Sequence, residues 1–411
     1  MSHPGTHAPV MLTDPLMLAR ADRHDDVERW KYLPTAQQPN WSRPAERDLA
    51  CRTLSDAPAL VSPRELTALK EQLARVARGE ARILQAGDCA ESFAEYTPAH
   101  ITAKAEAVGA LAERMGRGSG LGVVAIGRTA GQFAKPRSDG FEEVAGLRLP
   151  VFRGHLVNGE GATPAERRNA PERMLRAYEL SAGAAAQLAA AAAADGRRIW
   201  TSHEALVMDY EVPLVRYHDA EGQWFLGSTH FPWIGERTRD VRGAHVRLLS
   251  SLANPLACKV GPTASPEEVL ELCRLLDPER EPGRLTLIAR MGHRAVEDRL
   301  PALVRAVKDA GHPVVWISDP MHGNTVKTAA GVKTRYVAQV AAEAQAFVRV
   351  LRGQGVAPGG LHLEAAADAV TECVGVDVAD EHGLGRCYTT LCDPRLNPVQ
   401  AKEVVDLFNA A

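Results

Sequence analysis

The 411-residue chain has no uninterrupted apolar run near the roughly 20 residues that a membrane-spanning helix needs. Its opening, Met1-Ser2-His3-Pro4-Gly5, lacks the basic-then-apolar layout of a secretory signal. It has 7 cysteines, an odd number at irregular spacings, which makes no disulfide framework in a chain this long. An excess of charge of one sign is missing too: Lys+Arg number 48 and Asp+Glu 51, so no global basic field favours nucleic acid or anionic lipid. There is no G-x-x-x-x-G-K-[ST] loop, and Gly116-Arg117-Gly118-Ser119-Gly120 precedes a strand pattern instead of following one, so it fails as a dinucleotide fingerprint. Low-complexity linkers and repeats of 20–50 residues are also absent. The expectation is a cytoplasmic enzyme that binds neither membrane nor nucleic acid.

What the chain does have is alternation. Residues 1–62 are rich in Pro, Asp, Arg and His and read as an N-terminal extension packed on the body, with Trp30, Tyr32 and Trp41 pinning it. From residue 63 to 411, short apolar runs bounded by Gly or Pro alternate with helical patterns. Ser62 and Glu65 form a capping box, and Ser265 precedes Pro266 as an N-cap. The expected strands are Ala81–Ala86, Val123–Ile126, Ile199–Thr201, Leu256–Val260, Leu285–Ala289, Pro313–Ile317, Gly360–Glu364 and Cys387–Leu391. Eight strands with crossovers fit a (β/α)8 barrel, although a doubly wound open sheet has the same alternation. Arg216–Phe225 reads as a β-hairpin decoration.

Polar residues cluster at the carboxyl ends of these runs, which in a parallel barrel form one face. Lys259 and Arg290 lie in or at the end of apolar strands, where an unpaired charge is costly. With Arg128, Lys135, Arg137, Arg237, Lys333 and Arg335 they make a cationic set suited to phosphate and carboxylate groups. Cys89, His322, Glu364 and Asp393 are a mixed donor set on which Mn, Co, Fe or Zn could all be argued. A lone strand-end cysteine is, however, more often a small buried hydrophobe.

Longer motifs sharpen this. Gln85-Ala86-Gly87-Asp88-Cys89-Ala90-Glu91-Ser92, Gly127-Arg128-Thr129-Ala130-Gly131-Gln132-Phe133-Ala134-Lys135-Pro136-Arg137-Ser138 and Trp233-Ile234-Gly235-Glu236-Arg237-Thr238-Arg239 resemble the class II 3-deoxy-D-arabino-heptulosonate-7-phosphate (DAHP) synthases. So do Lys259-Val260-Gly261-Pro262, Asp319-Pro320-Met321-His322-Gly323-Asn324-Thr325 and Cys392-Asp393-Pro394-Arg395-Leu396-Asn397. The resemblance spans nearly the whole chain. It implies a (β/α)8 barrel, a transferase, that condenses phosphoenolpyruvate (PEP) with erythrose 4-phosphate and water, releasing phosphate.

It further implies a divalent metal, Mn2+ or Co2+ ahead of Fe or Zn, held by Cys89, His322, Glu364 and Asp393. Arg128, Glu236, Arg237, Lys259 and Arg290 would bind PEP. Lys135, Arg137 and Ser138 would face the aldose phosphate, with Lys333 nearby. Lys259, Arg128, Glu236 and His322 are the residues expected to take part in catalysis.

The stretch from Arg173 to Arg198 is short where longer family members carry helices that help build aromatic-amino-acid effector sites. The chain is therefore similar to the subgroup serving secondary metabolism, such as phenazine pathways, and weak inhibition by Trp, Phe and Tyr is expected. His155, where Asp is usual, leaves an aminoaldose phosphate open as the acceptor; a metal-dependent class II aldolase is the other alternative. A homo-oligomer is expected, with chorismate mutase as a possible partner of such enzymes. Were Cys387–Leu391 the strand beside the first, Cys89 and Cys392 would lie within disulfide reach.

Overall fold

Residues 33–411 are described by the computed structural model. Eight parallel strands make the central sheet: β1 (Ala81–Gly87), β2 (Gly122–Arg128), β3 (Trp200–Ser202), β4 (Trp233–Ile234), β5 (Leu256–Val260), β6 (Leu285–Ala289), β7 (Val315–Ser318) and β8 (Gly360–Glu364). Their order is β3-β2-β1-β8-β7-β6-β5-β4. The ring closes between its ends: Trp233 N–H donates to His203 O at 3.1 Å, Ala205 N–H donates to Trp233 O at 3.0 Å, and Glu204 bridges Trp233 in parallel. The fold is a (β/α)8 barrel.

Two strand assignments differ from the sequence expectation. Trp233–Ile234 is the fourth strand, so every later strand moves up by one, and Glu364 ends the eighth strand. Two residues between Pro232 and Gly235 are too few to register as a period-2 pattern. Cys387–Leu391 is a loop. Its amides are taken by side chains: Thr389 and Thr390 N–H donate to Glu372 Oε1 at 3.0 and 2.8 Å, and Cys387 N–H to Thr371 Oγ1 at 2.9 Å. The expected hairpin is present as Val215–His218 paired with Gln223–Leu226.

Side chains alternate across each strand, and that alternation aims the chemistry. In β5, Cys258 and Val260 pack outward with the helices, while Ala257 and Lys259 point into the barrel. In β8, Leu361 and Leu363 face out, leaving His362 and Glu364 inward. Register brings Gly87, Arg128 and Glu364 abreast. Gly87, at φ +150°, has no room for a side chain, because a Cβ there would lie 2.8 Å from Arg128 O.

Helix α1 (Pro44–Asp56) buries Ala50 and Leu54 against Phe133, Tyr210 and Leu214, and Trp41 donates to Asp209 at 2.8 Å. Trp30 and Tyr32 lie outside the described residues. Helix α2 (Pro63–Ala77), started by the Ser62–Glu65 capping box, plugs the amino end of the barrel with Leu69, Leu73 and Val76. Each leucine contributes roughly 1.5–3 kcal/mol through burial.

The outer ring is α3 (Pro98–Ser119), α4 (Glu172–Asp195), α5 (Ala244–Ser250), α6 (Pro266–Leu276), α7 (Val296–Asp309), α8 (Val337–Gly353) and α9 (Pro398–Ala410). The Gly116–Gly120 run is the end of α3, with Gly120 in the left-handed conformation as its cap. Among the described residues, no helix is long and apolar enough to cross a membrane.

Candidate active site

The carboxyl ends of the strands surround a cavity of about 410 Å³. Lys135, Arg137, Ser138, Glu236, Arg237, Lys259, Arg290, His322, Lys333 and Asp393, all singled out in the sequence, line it together with Glu204, Gly235 and Thr325. Arg128, Cys89 and Glu364 lie just beneath, almost wholly buried.

Cys89, Glu364 and Asp393 each direct a donor atom to a common point, all within 4.8 Å of one another. His322 completes the group, its Nε2 3.0 Å from Glu364 Oε1. One thiol, one imidazole and two carboxylates form a donor set of borderline softness that fits a divalent transition metal. The cluster already attracts a cation. Lys135 Nζ lies 3.1 Å from Glu364 Oε1, 3.1 Å from Asp393 Oδ2 and 3.3 Å from His322 Nε2.

Burial works against every charge here, and the partners override it. Burial would pull Lys135 down, yet Glu364 and Asp393 help hold it well above the usual lysine range. Burial would raise Glu364 and Asp393, but His322, Lys135 and Arg335 keep Glu364 ionised, and Lys135, Arg335 and Lys333 do the same for Asp393. Cys89 goes the other way: burial, a hydrogen bond with the Cys392 thiol and the nearby Glu364 charge push it up.

The cluster is held from behind. Asp319 accepts from His322 Nδ1 at 2.7 Å and from Lys259 Nζ at 2.8 Å, turning Nε2 of His322 toward the cluster. Arg335 Nη2 forms an ion pair with Glu364 Oε2 at 2.8 Å, and its Nε donates to Thr325 Oγ1 at 2.9 Å. Below the cations, a buried polar chain crosses the barrel. Arg128 contacts His362 Nε2, His362 Nδ1 meets Gln85 Oε1 at 2.7 Å, and Gln85 donates to Ser202 at 2.9 Å. Trp233 supplies a ring face with its centroid 5.1 Å from the Arg128 guanidinium and 6.0 Å from Lys259 Nζ.

Two carboxyls line the cavity with an oxygen that has no hydrogen-bond partner among the described residues, Glu204 Oε1 and Glu236 Oε2. They flank Gly235, where a Cβ would fall 2.0 Å from Glu204 Oε1. Burial pushes Glu204 up. At the rim, Arg237 donates to Ser138 Oγ at 2.7 Å, and Arg137 pairs with Glu142 at 3.0 Å.

The chain as a whole has counterparts among known sequences. The class-II DAHP synthetase family model matches residues 25–198 and 185–409. The chain belongs to that family. A probable phospho-2-dehydro-3-deoxyheptonate aldolase of Pseudomonas fluorescens is 48% identical over 391 residues, covering 94% of this chain and 97% of that one. The phospho-2-dehydro-3-deoxyheptonate aldolases of Mycolicibacterium smegmatis and Streptomyces coelicolor are each 38% identical, covering 91% and 92% of this chain and 92% and 95% of theirs. A truncated 3-deoxy-D-arabino-heptulosonate 7-phosphate synthase from Thermotoga maritima aligns at TM-score 0.40 and 16% identity, over 79% of this chain and 84% of that one.

Glu204, Asp319 and the Gln85–Ser202–His362 chain carry no role in the sequence reading, and Arg335, expected in the cationic set, is buried against Glu364 and does not line the cavity. The signal in the sequence is a polar residue inside an apolar run, which Gln85 and His362 share with Lys259. His155 does not face the cavity. Its Nδ1 accepts from Phe93 N–H at 2.8 Å, Nε2 contacts Glu160, and its ring packs between Phe93 and Phe152. The reason for an aminoaldose acceptor goes with it. Cys89 and Cys392 are free thiols. The strand beside β1 is β8, so adjacency of strands does not bring Cys392 near; the loop after β8 does.

Proposed function

We propose that this cavity is where the chain, a DAHP synthase, condenses phosphoenolpyruvate with erythrose 4-phosphate and water to give DAHP and phosphate. The observation that carries the reading is one cavity lined by Lys135, Lys259, Arg290, Arg237 and Lys333 and abutting the Cys89–His322–Glu364–Asp393 cluster. PEP brings a carboxylate and a phosphate into one small volume, and converging Arg and Lys neutralise both. Arg128, Arg290, Lys259, Arg237 and Glu236 form the PEP side. Lys135, Arg137, Ser138 and Lys333 form the aldose phosphate side.

A divalent ion held by the cluster, Mn2+ or Co2+ in this reading, supplies Lewis acidity toward the aldehyde oxygen. In the balanced reaction, C3 of PEP bonds to the aldehyde carbon, whose oxygen becomes a hydroxyl. The oxygen of water bonds to C2 and becomes its carbonyl as the C2–O bond to phosphate breaks, and the two protons of water end on the new hydroxyl and the released phosphate. Glu204 and Glu236, each with a free oxygen at the cavity wall, are placed to take the proton of that water.

The direct connection from α4 to β3 through residues 196–199, with no inserted helices, supports a role in secondary metabolism such as phenazine formation, with little inhibition by Trp, Phe or Tyr. A cytoplasmic homo-oligomer, able to pair with chorismate mutase, belongs to the same proposal. The test is phosphate release from PEP. Release that depends on erythrose 4-phosphate and stops with chelator supports the reading. Release without the aldose, or none at all, overturns it. Product masses from erythrose 4-phosphate and its amino analogue, offered together, decide the acceptor.

A further inference from the structure

Helix α8 packs on the outside of the barrel, and its buried face carries Val340, Ala344 and Phe347. In that apolar face sits Glu343, 1% exposed. A carboxyl in such a place is costly unless its oxygens are satisfied. The partners it finds are N–H groups of two different loops. Oε1 accepts from Met291 N–H at 2.8 Å and Gly292 N–H at 2.9 Å, and Oε2 accepts from Asn324 Nδ2 at 2.7 Å.

Those loops carry the cavity's machinery. Met291 and Gly292 directly follow Arg290, and Asn324 stands two residues after His322. Asn324 extends the tie, accepting from His293 N–H at 3.0 Å and donating to Pro320 O at 2.8 Å. On the cavity side the loops meet again, with Arg290 Nη2 donating to His322 O at 3.0 Å. Between these two ties the backbones touch: a Cβ on Gly323 would lie 2.4 Å from Gly292 N, and Gly292 adopts φ +84°. No side chain fits at that crossing, so the spacing of the loops has to be fixed from behind.

We propose that Glu343 is a positioning residue that fixes, from outside the barrel wall, the separation of Arg290 from His322, and so links affinity for PEP to affinity for the metal. It touches neither substrate nor metal. The inference rests on the reading above for what Arg290 and His322 hold.

Glu343→Gln in the full chain keeps one oxygen but sets an amide against the Asn324 amide; Glu343→Ala removes the tie, and Asn324→Ala removes half of it. Supporting residues of this kind alter metal affinity or activity by about 10–100-fold. The expected result for Glu343→Gln is a rise of about tenfold in both the KM for PEP and the Kd for Mn2+ added alone to chelator-stripped protein. The KM for erythrose 4-phosphate should stay within twofold.

A folded variant with the KM for PEP and the Kd for Mn2+ both within twofold of the parent overturns the proposal, even if its Tm has dropped. Should Glu343→Ala fail to fold, Glu343→Gln and Asn324→Ala decide by the same two constants. If the parent protein itself releases no phosphate from PEP and erythrose 4-phosphate, the functional reading falls, while the Mn2+ titration still decides the role of Glu343.

Discussion

At the scale of single residues, Lys135, Lys259, Glu364 and Asp393 each meet an opposite charge, and the test is to remove one side chain at a time. Arg290→Ala should chiefly damage the use of PEP, losing a charge-assisted contact worth roughly 1.5–3 kcal/mol, or about 10–150-fold in kcat/KM. Normal PEP kinetics in that variant would take Arg290 out of the site. Cys89→Ser should weaken metal retention and turnover together, checked by metal content after gel filtration; unchanged content would remove Cys89 from the ligand set. Glu204→Gln should lower kcat with little change in either KM, because the group acts on water and not on a substrate anion. The cations could be read from the sequence because Lys259 interrupts an apolar run. Glu204 could not, since nothing in His203-Glu204 tells that its oxygen lies against the bare backbone of Gly235.

Among elements, the loop after β8 shows how a side chain replaces a sheet. Glu372 accepts from Thr389 and Thr390 N–H, from Arg395 N–H at 2.7 Å and from the Arg395 guanidinium, so one buried carboxylate shapes the turn that delivers Cys392 and Asp393. Glu372→Ala should cost about 1–3 kcal/mol by urea unfolding, the expense of buried donors left without an acceptor, while Arg395 keeps its pairing with Asp88 at 2.6 Å. Helix α8 allows a pH test. Burial pushes Glu343 up to about 7 from 4.5. The folded chain thus binds a proton that the unfolded chain releases between those values, and stability falls as pH rises through that window, by on the order of 3 kcal/mol at most. The parent protein minus Glu343→Gln difference in unfolding free energy should shrink from pH 5 to pH 8; a flat difference would contradict the shift.

Helices with caps were legible in the sequence to within a residue or two: α2 and α6 start where Ser62 and Ser265 indicate. Strands were legible where four or more apolar residues stood between breakers. β4 was not, because it is two residues long. Cys387–Leu391 misled because a run's composition does not tell whether its amides meet a neighbouring strand or the distant Glu372.

For the molecule as a whole, the barrel is a ring whose joints differ greatly in strength. Between β1 and β2 seven residue pairs stand in register, whereas β3 and β4 meet through a single bridge and a few amides at their upper ends. Hydrogen exchange should therefore be fastest, among inward-facing strand amides, at Ala205 and Trp233, and slowest along Ile83–Gly87; equal protection would refute the ranking. The weak joint runs beside Glu204 and beneath the ring of Trp233 that backs Arg128 and Lys259. A cylinder that opens does so along its thinnest stave, and here that stave carries Glu204 and Trp233, so transient loosening of the ring would slacken the backing of Arg128 and Lys259.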